Sequence, residues 1–561
     1  MLGTRKRGHE AALLHSGLTA TGATALIRSN QSSPLSRSLA VFLLAGSFVV
    51  PAARVFAQEH PPAEPAAHAD EHAHPPAQKP EEEAAPVERS SVTQHSMMLG
   101  GRQIRYTATA GTLLIRNEED KPYGSIFYVA YTADGAESKT RPVTFLYNGG
   151  PGSASLWLHM GSVGPMRVIT NSPAATGSGP YQVVPNEYSL LDQSDLVFID
   201  APLTGYSRAV GKATVKDFAG VDPDLRAFAK VIERYLSVNQ RWNSPKFLFG
   251  ESYGTTRSAG LSAVLQEDGV ALNGITLLSS VLNYNASIGA GLEVSYVNYL
   301  PSYAAIAYYH KKLPQMPGGS PAAMAAFVEE ARVFARGEYA EALAEGEALP
   351  PARVDEIAAK LNHFTGLPVS YIKEAKLRIN PTRFRKELLR GDGDILGRYD
   401  ARFEGTEVDD AGENPSYDPS DTGISGVYVA AVHDYLQREL KYESTDEYKL
   451  SANTIGEWDW HHRAVGAGGR GAQQLPYVAG DLGDTIRKNP KLQVLSANGW
   501  FDLATPFFAT EYELNHMMLA PELAKNVHFT YYPAGHMVYL NVDALRQLRD
   551  DLRPFYQQAE K

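Results

Sequence analysis

Four short apolar runs constrain this chain most: "RPVTFLYNGGPG", "SDLVFIDAP", "SPKFLFGES" and "NGITLLSSVL". Each is continuous rather than alternating, and each runs into a loop containing glycine or proline. A strand apolar on both sides is buried on both sides, and amphipathic patterns such as "DLRAFAKVIERYLSV" (224–238) separate some of the runs. Strands of this kind interleaved with helices predict an α/β fold, a mostly parallel central sheet with helices on both faces. Reactive groups in such sheets lie outside the carboxyl ends of the strands. Ahead of these runs, "RQIRYTATAGTLLIRNEEDKPYGSIFYVAYTADG" has β-rich stretches with turn signals at "NEEDKPYG" and "TADG", which predicts an N-terminal hairpin or meander.

The rhythm breaks over about 284–451. There "SPAAMAAFVEEARVFARGEYAEALAEG", "PPARVDEIAAKLNHF" and "NPTRFRKELLR" have helical periodicity, predicting a largely helical insertion over the active-site edge. It then resumes with a strand at 491–498, a helix near 506–519, a strand at 526–533 and a closing helix in "VDALRQLRDDLRPFYQQ". No repeat at solenoid periods is present.

The net charge of −11, with no long basic stripe, argues against a nucleic-acid partner. The absence of cysteine excludes disulfides, thiol catalysis and Cys-ligated zinc, without assigning a compartment. In "RSLAVFLLAGSFVVPAARVFAQ", Arg37 precedes an apolar run from about Leu39 to Val50 and the small-residue site Val55-Phe56-Ala57. Residues 1–57 therefore read as a signal peptide with a long n-region, cleaved after Ala57, and the protein as exported, periplasmic or secreted, with no membrane association beyond the export signal. Residues 58–90 carry almost no large apolar side chains and read as a disordered linker rich in His, Pro and Glu, followed by a catalytic domain over 91–561. His60, His68, His72 and His74 have ligand chemistry, but nothing fixes their geometry, so no metal is expected.

Gly250-Glu251-Ser252-Tyr253-Gly254 fits Gly-x-Ser-x-Gly, with a strand before it and a helix after it, the setting of a serine nucleophile. A serine needs a base, and the base needs an orienting group. Asp502 follows the penultimate strand in "LSANGWFDLATP" and His536 follows the last strand in "TYYPAGHMVYL", which completes the order Ser, Asp, His. Asp481 and Asp484 are alternative partners for the histidine. One oxyanion donor is expected at the N–H of Tyr253, and another from the glycine loop "FLYNGGPGSAS". These glycines lack both Gly-x-Gly-x-x-Gly and a following Lys-Ser/Thr, so neither a phosphate loop nor a dinucleotide cofactor is expected.

Taken in order, "YNGGPGSAS", "DAPLTGYSRA", "GESYGTT", "NGWFDLATP" and "AGHMVYL" resemble the serine carboxypeptidases, in character the bacterial members, over about residues 100–558. The resemblance implies an α/β-hydrolase fold with a helical insertion, no cofactor, and removal of C-terminal residues from peptides with a free C-terminus, best in acid. It implies Ser252 as nucleophile, His536 as base and acid, Asp502 as orienting carboxylate, Gly150 and Tyr253 as oxyanion donors, and Asn148 and Glu251 as the readers of the substrate carboxylate. Two positions depart from the family pattern: Leu146 stands where a tryptophan is frequent, and Thr255 where a glycine is common. An acyltransferase or esterase of the same fold, a proline-releasing aminopeptidase and a non-catalytic binding protein are the competing readings.

Overall fold

The computed structural model describes residues 85–287, 292–466 and 471–561. The expected leader, and the linker with His60, His68, His72 and His74, lie outside the described residues except for the last few linker positions. At that end Glu88 already accepts from the N–H of Leu114 (2.9 Å) and from Arg234 Nε (3.0 Å). Residues Glu82–Lys561 make one compact unit.

The strands that carry the architecture are β1 (Ser90–Leu99), β2 (Arg102–Arg116), β3 (Pro122–Ala133), β4 (Val143–Tyr147), β5 (Asp195–Ile199), β6 (Lys246–Ser252), β7 (Gly274–Ser280), β8 (Gln493–Gly499) and β9 (Val527–Tyr532). They join in the order β1-β2-β3-β5-β4-β6-β7-β8-β9, with a two-residue strand, Arg208–Ala209, paired to β3. β1, β2 and β3 form the expected antiparallel meander, which meets β5 antiparallel. From β5 onward every pair is parallel.

Alternation along β6 explains why its apolar run is continuous. Phe247 and Phe249 enter the core on one face with Leu278 and Tyr556, and Leu248 enters the other with Val231 and Ile275. The chain goes from β4 outward to β5 and then returns to β6 on the other side, so the strand order reverses at β4. The crevice beside the ends of β4 and β6 is therefore the topological switch point of the sheet. Tyr147, the last residue of β4, pairs with Gly250, two residues before Ser252.

The insertion is largely helical, as its periodicity predicts, and includes the helices Glu293–Tyr309, Pro321–Phe334, Pro351–Thr365 and Ser425–Asp434. Much of it shares a third core, where Tyr303, Phe327, Leu361 and Phe384 pack with Phe501 and Leu503 from the loop after β8 and with Phe507 at the start of the next helix. No helix among the described residues is long and apolar enough to cross a membrane.

One buried ion pair ties the switch point together. Arg257, on the helix Tyr253–Glu267, is fully buried and donates to Asp224 Oδ2 (2.7 Å) and Oδ1 (3.1 Å) on the helix Val221–Val238. Its Nη1 donates to the carbonyl of Asn148 (2.8 Å), the first residue after β4, and its guanidinium carbon lies 4.0 Å from the Phe228 ring centroid. Removing one member of a buried pair strands the other charge, a loss of about 3–5 kcal/mol. Arg257→Met is expected to destabilise the fold by that amount in urea unfolding, and Arg257→Met with Asp224→Leu to recover most of it. A single variant that unfolds at the wild-type midpoint would contradict this role.

Candidate active site

Ser252 ends β6 and the helix Tyr253–Glu267 starts at the next residue, so the chain turns sharply on the serine itself. Its φ of 60° is a left-handed value for a residue with a Cβ, a strained conformation that the close packing around it must hold. The packing explains the flanking glycines. A Cβ at Gly250 would meet the carbonyl of Gly254 and lie 2.6 Å from Ser258 Oγ, and one at Gly254 would lie 2.9 Å from the carbonyl oxygen of Tyr147. Thr255, where the family pattern has glycine, is buried and contributes its hydroxyl to the turn. It donates to the carbonyl of Ser252 (2.7 Å) and accepts from the N–H of Val281 (3.0 Å).

The glycine loop after β4 lies over this turn. A Cβ on Gly149 would run into the backbone nitrogen of Tyr253, so only glycine lets the loop approach the start of the helix. Gly150 follows with φ 105°. The "DAPLTGYSRA" motif braces the loop from below: Asp200 Oδ1 accepts from the N–H of Ser155 (2.8 Å) and from the Tyr448 hydroxyl (3.2 Å).

Asp502 and His536 stand at the carboxyl ends of β8 and β9, both buried. His536 Nδ1 lies 2.8 Å from Asp502 Oδ2. A carboxylate only accepts, so the ring proton sits on Nδ1 and Nε2 is left as the free lone pair. Asp502 is itself held by the N–H groups of Ala504 (2.7 Å) and Thr505 (2.9 Å) and by the Thr505 hydroxyl (2.7 Å). Burial opposes a charged imidazole, yet the Asp502 carboxylate outweighs it, and His536 titrates above the ordinary histidine value. The alternative acids are occupied elsewhere. Asp481 accepts from His462 Nε2 (3.1 Å), and Asp484 pairs with Lys488 (2.6 Å).

Ser252 pairs in register with Ser280, and the hydroxyl of the adjacent Ser279 donates to the carbonyl of His536 (2.6 Å), so the serine and histidine loops are neighbours. The Ser252 hydroxyl makes no hydrogen bond to His536, a looseness common in sites without substrate.

Glu251, the residue before Ser252, is buried. Burial pushes its carboxyl up to about 7, against the His536 charge and the Tyr539 and Asn148 side chains, which favour ionisation; Asp502 adds repulsion. Its Oε2 has no hydrogen-bond partner. Asn148 Oδ1 accepts from the N–H of Leu158 (2.9 Å), which commits the oxygen and leaves the amide NH2 as a donor beside Glu251. Leu146 is fully buried in the core with Phe198 and Phe249. Two tyrosines that sequence reasoning missed, Tyr539 and Tyr428, adjoin Glu251 instead, and Trp157 packs on Tyr428 with ring centroids 5.1 Å apart. Tyr539 was within reach of a reading of "AGHMVYL"; Tyr428 lies in the insertion, with no local signal.

The second omission is the segment Arg398–Arg402, also in the insertion. It is laced to both reactive loops: the carbonyl of Arg398 accepts from the N–H of Leu503 (3.1 Å), that of Tyr399 from His536 (2.6 Å), and the N–H of Ala401 donates to Phe501 (3.0 Å). Asp400 Oδ2 accepts from the N–H of Gly535 (3.2 Å), and the same carboxylate binds Arg402 Nη2 (2.5 Å) and Nε (2.9 Å).

A family model described as serine carboxypeptidase matches residues 102–536. The chain belongs to the serine carboxypeptidase family. Among curated family members, serine carboxypeptidase-like 33 of Arabidopsis thaliana is 23% identical over 145 residues, 26% of this chain, and the match spans 29% of that protein's length. Among solved structures, Kex1(delta)p, a prohormone-processing carboxypeptidase from Saccharomyces cerevisiae, is 14% identical, with 80% of this chain and 91% of that one covered and a TM-score of 0.49. A proline iminopeptidase from Mycobacterium smegmatis is also 14% identical, covering 80% and 98%, with a TM-score of 0.35.

The lacing at Asp400 makes a prediction about reactivity. An asparagine there cannot bind Arg402 with two anionic oxygens while holding Gly535, so the His536 loop should drift. Displacements near 1 Å cost up to about a hundredfold in rate. Asp400→Asn is expected to slow fluorophosphonate labelling of Ser252 by at least about tenfold on the same grounds. Unchanged labelling with a lowered Tm would restrict the network to stability.

Proposed function

We propose that this protein is an exported serine carboxypeptidase that hydrolyses the C-terminal bond of peptides through an acyl-enzyme on Ser252. The observation that carries the reading is the pairing, one residue apart on β6, of a strained serine with a buried carboxyl beside the Asn148 amide, one carboxyl oxygen having no hydrogen-bond partner among the described residues. An endopeptidase has no use for a buried acid and an amide donor facing the leaving residue. A free C-terminal carboxylate does, provided the acid is protonated. The leader 1–57 and the apolar run after Arg37 support export to the periplasm or beyond, with residues 58–90 as a tether to a catalytic domain over 91–561.

In this mechanism Nε2 of His536 takes the Ser252 proton as Oγ attacks the scissile carbonyl. The oxyanion is met by the N–H groups of Gly150 and Tyr253, and Asp502 stabilises the imidazolium. The proton then passes to the departing amine, the C–N bond breaks, and the C-terminal residue leaves. Water, deprotonated by the same histidine, attacks the acyl-enzyme and releases the shortened peptide, returning the proton to Ser252.

Glu251 and His536 compete for a proton: each favours the charged form of the other. Before substrate binds, the two groups titrate as a coupled pair. A substrate carboxylate tips the balance, because a neutral Glu251 can donate to it whereas an ionised one repels it. The proton moves to Glu251 and His536 is left neutral, as a base must be.

Two predictions separate this reading from others. The first concerns product and triad. A blocked dipeptide with a free C-terminus should be cleaved, while its C-terminal amide should not. Ser252→Ala and His536→Ala should lose nearly all kcat, and Asp502→Asn about four orders of magnitude. Cleavage only of peptides with a free N-terminus would identify an aminopeptidase instead.

The second concerns pH. Glu251 is protonated below about 7, so its donor is present in acid and lost as pH rises through that value. KM for free-acid peptides should climb above pH 7, whereas kcat, which needs neutral His536, should hold. Glu251→Gln, a donor at all pH values, should flatten the climb. An identical climb in wild type and Glu251→Gln would remove Glu251 from carboxylate recognition.

A further inference from the structure

A cation stands beside the His536 loop with no acid in ion-pair contact among the described residues. Arg398 opens to solvent, yet its surroundings are Tyr399, Tyr299, Asp418 and Asp502. Its backbone is fixed on both sides, by its N–H to Asp418 Oδ1 (3.0 Å) and its carbonyl to the N–H of Leu503 (3.1 Å). The guanidinium carbon lies 5.2 Å from the Tyr399 ring centroid, and that ring lies 5.3 Å from the His536 ring.

Some exposed arginines of this acidic chain find carboxylates among the described residues, as Arg438 does with Asp434 (2.6 Å) and Arg353 with Glu356 (2.5 Å), whereas Arg102, Arg105 and Arg226 do not. Arg398 forms no ion pair among the described residues. Both nearby acids are committed. Asp418 Oδ1 also accepts from the N–H and hydroxyl of Ser420, and Asp502 is taken by His536, Ala504 and Thr505. Apart from its contact with Tyr399, the guanidinium fork is left for a ligand whose geometry it matches, a carboxylate.

Its position along the cleft selects which carboxylate. Arg398 stands against Tyr399 beside the His536 ring, and its carbonyl holds the Asp502 loop through the N–H of Leu503; its charge also acts on Tyr284 and Tyr299. Tyr284 packs on Trp460 (4.9 Å between centroids), and Trp460 meets Tyr253 edge-on (6.4 Å). That wall belongs to the residue after the serine. Glu251 and Asn148, at the end assigned to the C-terminal carboxylate, have Tyr428 and Tyr539 as neighbours instead. We propose that Arg398 selects substrates with a carboxylate side chain on the penultimate residue, the one whose carbonyl Ser252 attacks. The inference rests on the carboxypeptidase reading and adds its substrate class.

The test compares N-acyl-Glu-Leu with N-acyl-Gln-Leu at pH 6, with N-acyl-Leu-Glu and N-acyl-Leu-Gln as the position control. Wild type is expected to favour Glu over Gln at the penultimate position by about tenfold in kcat/KM, the scale of one charge-assisted hydrogen bond. Arg398→Gln should abolish the ratio and Arg398→Lys should keep part of it, an outcome that a merely structural role would not produce. Calorimetric binding of the same peptides to Ser252→Ala, with and without Arg398→Gln, reads the preference without turnover. If the dipeptides are cleaved but the ratio ignores Arg398, or appears only at the leaving residue, the proposal falls and the carboxypeptidase reading stands. If Ser252→Ala binds the Glu peptide better through Arg398 yet wild type cleaves no dipeptide, the peptidase reading falls and the cation's preference stands. Absence of both binding and cleavage overturns both.

Discussion

The ion pair of Arg257 with Asp224 is the interaction on which the rest of the site depends. A fully buried guanidinium is costly to desolvate, and it is tolerated only where its donors are met. Here they are met by a carboxylate on one helix and by the Asn148 carbonyl at the end of β4, with aromatic faces of Phe228, Tyr147 and Tyr253 around the cation. The cation therefore joins three parts of the fold that must agree in position: the helix behind the serine, the helix Val221–Val238, and the start of the glycine loop. The left-handed turn at Ser252 and the close approach of Gly149 are sustained by this anchoring.

Glu251 has no such anchor. A buried acid beside a buried arginine is ordinarily its partner, and the carboxyl is then a structural ion. Glu251 has no arginine or lysine partner among the described residues, and burial pushes its carboxyl up to about 7 against the His536 charge. A group in that condition is able to act as a hydrogen-bond donor near neutral pH, which no ordinary glutamate does. Its charge and that of His536 each favour the ionised form of the other, so the two groups titrate together.

The insertion contributes more than a cover. Its core extends through Phe501 and Leu503 into the loop that carries Asp502 and to Phe507 in the following helix, and its segment Arg398–Arg402 bonds to the backbone of the Asp502 and His536 loops. Loops at strand ends are intrinsically the mobile part of a parallel sheet. Fastening them from above is how this chain holds Asp502 and His536 at 2.8 Å without disulfides.

Local chemistry in the sequence determined the sheet, the meander, the helical insertion and the placing of Ser252, Asp502 and His536 at strand ends, because a strand's two-sided burial and a turn's need for glycine are written within ten residues. The Asp502 loop is an example: the apolar run of β8 and the residues just after it suffice to locate the acid. What only the tertiary structure decided are partnerships between distant segments. Nothing near Arg257 names Asp224 as its partner, nothing in "GVYVAAVHD" marks Tyr428 as a neighbour of Glu251, and nothing in "GRYDARF" shows that it binds the loops after β8 and β9. Such contacts follow from which faces meet once the sheet has closed its core, and periodicity describes a face without saying what will be opposite it.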